Sequence, residues 1–390
     1  MKKVFYLGLL GLALYEICKV YFIMPMPGSQ QQNTIDLAYF LHVHRWWFRI
    51  AFALMSIGGS FSAFSVKRKW LPALAMVPVL MIIYFFNFEM IADHMFLQPS
   101  VLTFSQKSET ILNDSSVVLT VAHAGEAKAY PVRYILYHHQ VRDTIAGKPI
   151  MVTYCNVCRT GRVYEPSVNG KPEHFRLVGM DHFNAMFEDD ETKSWWLQAT
   201  GQAITGPLKG TSLTEVESFQ STLGKFFALH PFGKVMRPDT IFSHSYDSIG
   251  RYEKGRSKGK LTRKDSLSWK DKSWVVGVQV GNSTKAYDWI DLTTSRIILD
   301  EISNTPIVVV LSDDGQTFGA FQRNSATDTF SVSNDSLVSE ANHYDLAGRN
   351  KSGNHLKRLK AYQEFWHSWR TFHPTTERYQ ASAPPRSAQF

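Results

Sequence analysis

The sequence predicts a β-rich α+β protein: three N-terminal transmembrane helices followed by an internally duplicated soluble domain. Three observations predict it. Residues 1–90 contain three long apolar stretches, and past them the texture changes to short runs of β-branched and aromatic residues punctuated by Gly, Asn, Asp and Ser. One pattern of residues then returns at a constant offset, the mark of a repeated unit.

The first apolar stretch, Val4 to Ile23, follows Lys2 and Lys3, is interrupted by Glu16 and Lys19, and is closed by Met24-Pro25. It is long for a cleaved signal peptide and no small-x-small cleavage signal follows, so a retained helix is expected. A second span runs from about Trp46 to Val66 and a third from Trp70 to about Phe88. Each is near the ~20 residues that a ~30 Å hydrocarbon core requires. Trp46, Trp47 and Trp70 suit the interfacial aromatic belt.

Lys2 and Lys3 precede the first span, and Lys67, Arg68 and Lys69 fill the turn between the second and third. Both clusters are expected on the cytoplasmic side. The expected setting is the bacterial inner membrane, with the soluble domain periplasmic or extracellular and the lipid bilayer as a partner. Glu16, Lys19 and Arg49 lie near span ends, where snorkelling would account for them. The loop before the second span ends Leu41-His42-Val43-His44-Arg45; in an extended segment both imidazoles point the same way, toward a metal, a quinone or lipid headgroups.

Val118-x-x-Val121, Lys128-Ala129-Tyr130, Asp143-x-Ile145 and Pro149-Ile150-x-Val152 recur as Val275-x-x-Val278, Lys285-Ala286-Tyr287, Asp300-x-Ile302 and Pro306-Ile307-x-Val309. No gap is needed. The match continues more loosely through Gly201 and Gly206 against Gly348 and Gly353, then His230-Pro231 against His373-Pro374, with shorter loops in the second copy. Each copy is expected to carry one helix-like stretch, Leu213 to Leu229 and Tyr362 to Phe372. The boundaries read are 1–90 for the anchor, 95–245 for the first repeat, 246–273 for a basic linker, 274–380 for the second repeat and 381–390 for a disordered tail.

The net charge of +8 comes largely from residues flanking apolar segments and from this linker, which argues against nucleic acid as a partner. With three cysteines the chain is no disulfide scaffold. Cys155 and Cys158 stand alone as a C-x-x-C between two β-rich runs, so they fall on a strand-to-strand bend. A thioredoxin-type pair instead opens a helix whose N-terminus lowers the thiol pKa. A hairpin bend is a knuckle that presents two sulfurs to one ion. The alignment sets Ser312 against Cys155 and Gly315 against Cys158, so the second copy keeps the hairpin without sulfur. That shifts weight from a structural disulfide toward a site confined to the first copy.

Two thiolates do not complete a metal shell. His182 is the histidine chosen as third ligand, with Asp181 and Met180 beside it; Asn184, Arg159 and Trp196 are supporting candidates, and His42 and His44 are more remote ones. Two thiolates and an imidazole suit copper or zinc, and Arg159 next to Cys158 would favour a thiolate. The alternative for His182 is a hydrogen bond at a strand end. No C-x-x-C-H is present because Arg159 follows Cys158, which removes c-type haem. No nucleotide, zinc-protease or serine-hydrolase motif appears either.

Tyr154-Cys155-x-x-Cys158, Gly161-x-Val163-Tyr164, Asn184, Asp189, Ser194-x-Trp196 and Gly201-x-Ala203-Ile204-x-Gly206-Pro207-Leu208-x-Gly210 resemble the bacterial family known as domain of unknown function 3179, over about 95–379. The resemblance implies that the cysteine hairpin and the Ser194 to Gly210 segment belong to one site, and it brings no reaction. Two functions are therefore expected. One is an extracytoplasmic thiolate metal or redox protein, for copper handling or thiol redox, acting on a small molecule or an extracytoplasmic protein. The other is a non-catalytic binding or assembly module with a structural Cys155–Cys158 disulfide.

Overall fold

The computed structural model describes residues 1–333, 335–339 and 342–381. The tail expected over 381–390 lies, apart from Ala381, outside the described residues. Contacts divide the chain into two units, one joining Met1–Gln98 to Pro166–Leu213, the other joining 99–165 to the chain from Thr214 onward. This differs from the boundaries expected from the repeat. The stretch Pro166–Leu213 pairs its strands among themselves and bonds to the segments that follow the first helix, so it groups with the N-terminal part.

In the first unit, helices α1 (Lys2–Tyr21) and α3 (Arg45–Phe64), and α4 (Trp70–Tyr84) with its π-helical continuation Phe85–Glu89, are long and apolar enough to cross a membrane. α1 and α3 approach closely because small residues face each other. A Cβ on Gly8 would stand 2.4 Å from Ser56 Oγ, and one on Gly59 2.3 Å from the Phe5 nitrogen. Snorkelling does not describe Glu16, which is 1 % exposed between the helices. Its carboxylate accepts from Arg49 Nε at 2.6 Å, pairs with Lys19 Nζ at 2.9 Å and accepts from Asn87 Nδ2 at 2.9 Å. One buried carboxylate thus ties all three long helices.

The segment expected to be extended before α3 is a helix, α2 (Ile35–Val43). A helical repeat separates the two imidazoles: His42 turns toward Glu188, and His44 Nδ1 lies 3.0 Å from the Phe40 carbonyl one turn back. The same unit holds a four-stranded antiparallel sheet in the order Ala203–Thr205, Trp195–Leu197, Asn184–Asp189, Phe175–Asp181. Its last strand is bonded to the chain leaving α1, Met180 N donating to Ile23 O at 2.8 Å. Gly179 makes this possible: its φ is +155°, and a Cβ there would meet Ile23 O at 2.4 Å.

In the second unit two runs of elements come in a similar order. The first series is the hairpin Val117–His123 and Glu126–Pro131, the helix Val132–His138, the meander Gln140–Ile145, Lys148–Cys155 and Thr160–Tyr164, then the strand Ser218–Thr222 and helix Leu223–Leu229. The second is Trp274–Val280 and Ser283–Asp288, Trp289–Ser295, the meander Ile297–Ile302, Thr305–Leu311 and Phe318–Gln322, then Lys360–Phe365 and Trp366–Phe372. Registers correspond: Leu119 faces Tyr130 as Val276 faces Tyr287, and Ile145 faces Lys148 as Ile302 faces Thr305. So do buried polar contacts, Tyr130 Oη donating to Asp143 at 2.6 Å and Tyr287 Oη to Asp300 at 2.8 Å.

Only the last seven residues of each expected helix-like stretch are helical. The residues before them are drawn into ladders, Ser218–Thr222 against Val117–Val121 and Lys360–Phe365 against Trp274–Gln279, because edge pairing satisfies their backbone. The basic linker is not solvated throughout. Tyr252 and Glu253 are buried, and Tyr252 belongs to the core around Val121, Tyr134 and Val163.

Candidate functional site

Cys155 ends the strand Lys148–Cys155, Thr160 begins Thr160–Tyr164, and the two face each other in an antiparallel pair. The expected strand-to-strand bend is therefore present as the four residues Asn156–Arg159, closed by Arg159 at φ +57°. Both cysteines are thiols, 1 % and 0 % exposed. The Cys158 thiol hydrogen-bonds Cys155 and Ser368.

Three contacts pin the bend carbonyls: Tyr252 Oη donates to Asn156 O at 2.6 Å, Lys272 Nζ to Val157 O at 2.8 Å, and Phe365 N to Cys158 O at 2.9 Å. Lys272 and Phe365 come from the second half of the unit or its approach, so the first hairpin is closed by residues far away in sequence. Below the bend, Arg162 pairs with Glu364 at 3.2 Å, both buried, and the Ser368 hydroxyl donates to Glu364.

Arg159 does not serve the thiols as expected. Its guanidinium turns outward from the bend to Gln363 Oε1 at 3.1 Å and to the carbonyls of Tyr252 and Glu253, and it stacks on Trp274 at 3.9 Å. The cation set against the sulfurs is Lys272. Burial, then the neighbouring Cys155 sulfur and Glu364, push the Cys158 thiol well up, against its hydrogen bond with Ser368. Burial also pushes Lys272 down, against the pull of Cys158 and Cys155. Burial raises Glu364 despite Arg162 and Ser368. The Cys158 thiol, the Lys272 amine and the Glu364 carboxyl are thus all driven toward their neutral forms.

The second half shows how such a bend is held without sulfur. Between Thr305–Leu311 and Phe318–Gln322, Asp314 accepts from Gln316 N at 2.8 Å, Thr317 N at 2.7 Å and Thr222 Oγ1 at 2.8 Å. Thr222 and Phe365 stand at the same strand-to-helix corner of their series, so each hairpin is closed by the corner of the other half.

His182 belongs to the first unit, at the turn between Phe175–Asp181 and Asn184–Asp189, and its Nδ1 lies 3.0 Å from Asp181 Oδ2. That hydrogen bond raises the imidazole above its usual range, against burial. Asn184 donates to Gln198 Oε1 at 3.1 Å and accepts from Ala199 N at 2.9 Å; Trp196 Nε1 donates to Asp189 at 2.8 Å. These residues organise the sheet of the first unit.

The predicted residues thus fall into two sets, Cys155, Cys158 and Arg159 in the second unit, and Asp181, His182, Asn184 and Trp196 in the first. Among the described residues no three His, Cys, Asp or Glu side chains gather as a metal would require. His42 lies 3.4 Å from Glu188, whose carboxylate also binds Arg176 at 2.7 Å and Trp195 Nε1 at 2.8 Å. Burial would raise Glu188, but His42, Arg176 and Trp195 hold it at about 2.

Lys272, Gln363, Glu364, Ser368 and Tyr252 escape sequence reasoning because no local spacing links them to the cysteines; only the offset between the two halves hints that a strand-to-helix corner would meet a hairpin. No curated protein and no solved structure matches the chain. The family model described as protein of unknown function (DUF3179) matches residues 97–376, most of the chain including both series of elements, and the chain belongs to that family.

Proposed function

We propose that this chain is a membrane-anchored thiol–disulfide redox protein whose working group is the Cys155–Cys158 dithiol. The observation that carries the reading is the pair of buried, mutually hydrogen-bonded thiols on a bend, set against Lys272, Ser368 and Glu364. A metal would need further donors, and among the described residues none join the two sulfurs as a group. A dithiol needs only its two sulfurs and a place for protons. On oxidation the thiols lose two electrons and two protons to a disulfide-bearing oxidant, an S–S bond forms between them, and Lys272 is positioned to take a proton from the bend.

The matching registers and polar contacts support reading the second unit as two copies of one ancestral unit, with chemistry kept in the first. The three long helices, with Lys2, Lys3 and Lys67 to Lys69 at one side, support an anchor that leaves Pro166–Leu213 and the second unit outside the cytoplasm. There a dithiol is exposed to oxidising conditions.

The test is to equilibrate the purified full-length chain in detergent with glutathione buffers of graded potential, unfold it and count thiols. The titre is expected to switch between three and one per chain in a single two-electron step, three being all the cysteines present. Cys155→Ser should abolish the step. A titre independent of the buffer, or about one metal ion per chain lost in Cys155→Ser, overturns the proposal.

A further inference from the structure

Beside the cysteine bend, within the second unit, lies a cavity of about 390 Å³, the size range of small-ligand sites. Its floor includes Asn156, the first residue of the bend, and Tyr252, whose hydroxyl holds the Asn156 carbonyl. Its wall is folded from the basic linker. Arg256 N donates to Arg251 O at 3.0 Å and Arg263 N to Gly259 O at 2.8 Å, which curl the chain so that Arg251, Ser257, Lys258 and Thr262 line the space.

The lining is one-signed. It contains the cations Arg251 and Lys258 and no Asp or Glu. Neither cation has an ion-pair partner among the described residues, whereas Arg159 and Arg162 nearby are fully engaged. Two uncompensated cations and two hydroxyls over a partly apolar floor of Leu136 and Ile249 suit a small organic anion.

We propose that this cavity recognises the oxidant of the dithiol, a small disulfide carrying carboxylates, a reading that rests on the redox assignment above. Neither buried thiol lines the cavity, so the exchange requires the bend to open at Asn156; one thiol, deprotonated, then attacks a ligand sulfur, the ligand S–S bond breaks and one half leaves as thiolate. The second protein thiolate attacks the resulting mixed disulfide, releasing the other half and closing Cys155–Cys158. The protein loses two electrons, the ligand gains them, and the two protons leave on the two product thiols.

The test uses the full-length Cys18→Ser chain in detergent, so that only the two bend thiols report. The probes are 5,5′-dithiobis(2-nitrobenzoate), a dianionic disulfide, and 4,4′-dithiodipyridine, an uncharged one. In Arg251→Ala/Lys258→Ala the rate constant for the anionic probe is expected to fall about tenfold, with the uncharged probe unchanged. Lys260→Ala/Arg263→Ala removes the same charge outside the lining and should leave both rates within about twofold. Equal losses in the two double variants, equal losses for the two probes, or no loss overturns the cavity. If the parent reacts with neither probe, the redox reading fails, and calorimetry of the anionic probe with Cys155→Ser/Cys158→Ser decides the cavity separately. Binding that disappears with Arg251→Ala/Lys258→Ala supports it, and no binding overturns it.

Discussion

At the scale of residues, burial decides the chemistry of the bend more than any neighbour in sequence. Cys158 is raised by its surroundings, so its thiolate fraction keeps growing above the pH at which an exposed thiol saturates. The rate of alkylation by iodoacetamide in Cys18→Ser/Cys155→Ser is therefore expected to rise through about pH 10 without levelling, and Lys272→Met should move the profile further alkaline. A profile with its midpoint at the ordinary thiol pKa of about 8.5 would contradict this. Glu364 is the acceptor for buried Arg162, and removing it strands a charge. Glu364→Ala should destabilise the second unit by roughly 3–5 kcal/mol in denaturant melts. Glu188 runs the other way: its folded pKa lies at about 2, below the ordinary carboxylate value. The stability it contributes is present above about pH 4.3 and is lost as pH falls toward 2, on the order of 2 kcal/mol after screening. Trp195, buried beside it, reports the transition by fluorescence, and Glu188→Gln should flatten that acid limb.

At the scale of elements, strand Phe175–Asp181 depends on Gly179 to reach Ile23 O, and both the left-handed φ and the close approach exclude a side chain. Gly179→Ala is expected to cost roughly 1–3 kcal/mol and to speed proteolysis of 166–213, with the second unit's thiol titre unchanged. The hairpin and the long apolar helices were legible in sequence because their signals are local: alternating Ile150, Val152 and Tyr154, and apolar runs such as Trp70 to Phe86. The strands Ser218–Thr222 and Lys360–Phe365 were not, because they are strands only by virtue of the edges they pair with, Val117–Val121 and Trp274–Gln279. The bonded cluster around Glu16 escaped for the same reason, since Asn87 and Arg49 meet it only once the helices pack.

At the scale of the whole molecule, Pro166–Leu213 leaves the second unit and returns to it at one place, where Glu165 N donates to Thr214 O at 2.9 Å. The second series does likewise, Gln322 N donating to Lys357 O at 2.9 Å. A chain starting at Pro99, with 166–213 replaced by two glycines, is expected to be soluble, to melt cooperatively and to keep two buried thiols; a molten chain would show that the excursion is needed for folding. The sequence by itself determined the three apolar helices, the β-rich texture, the cysteine bend and the family, because each is written in local periodicity or in motifs of fixed order. Only the tertiary structure decided what surrounds the sulfurs. Lys272, Glu364 and Ser368 are brought to Cys158 by the pairing of strands remote in sequence, and Arg159, adjacent to it, is turned away by Gln363 and Trp274. Adjacency along a chain sets where a backbone goes, and burial against distant strands sets the protons and charges that a side chain meets.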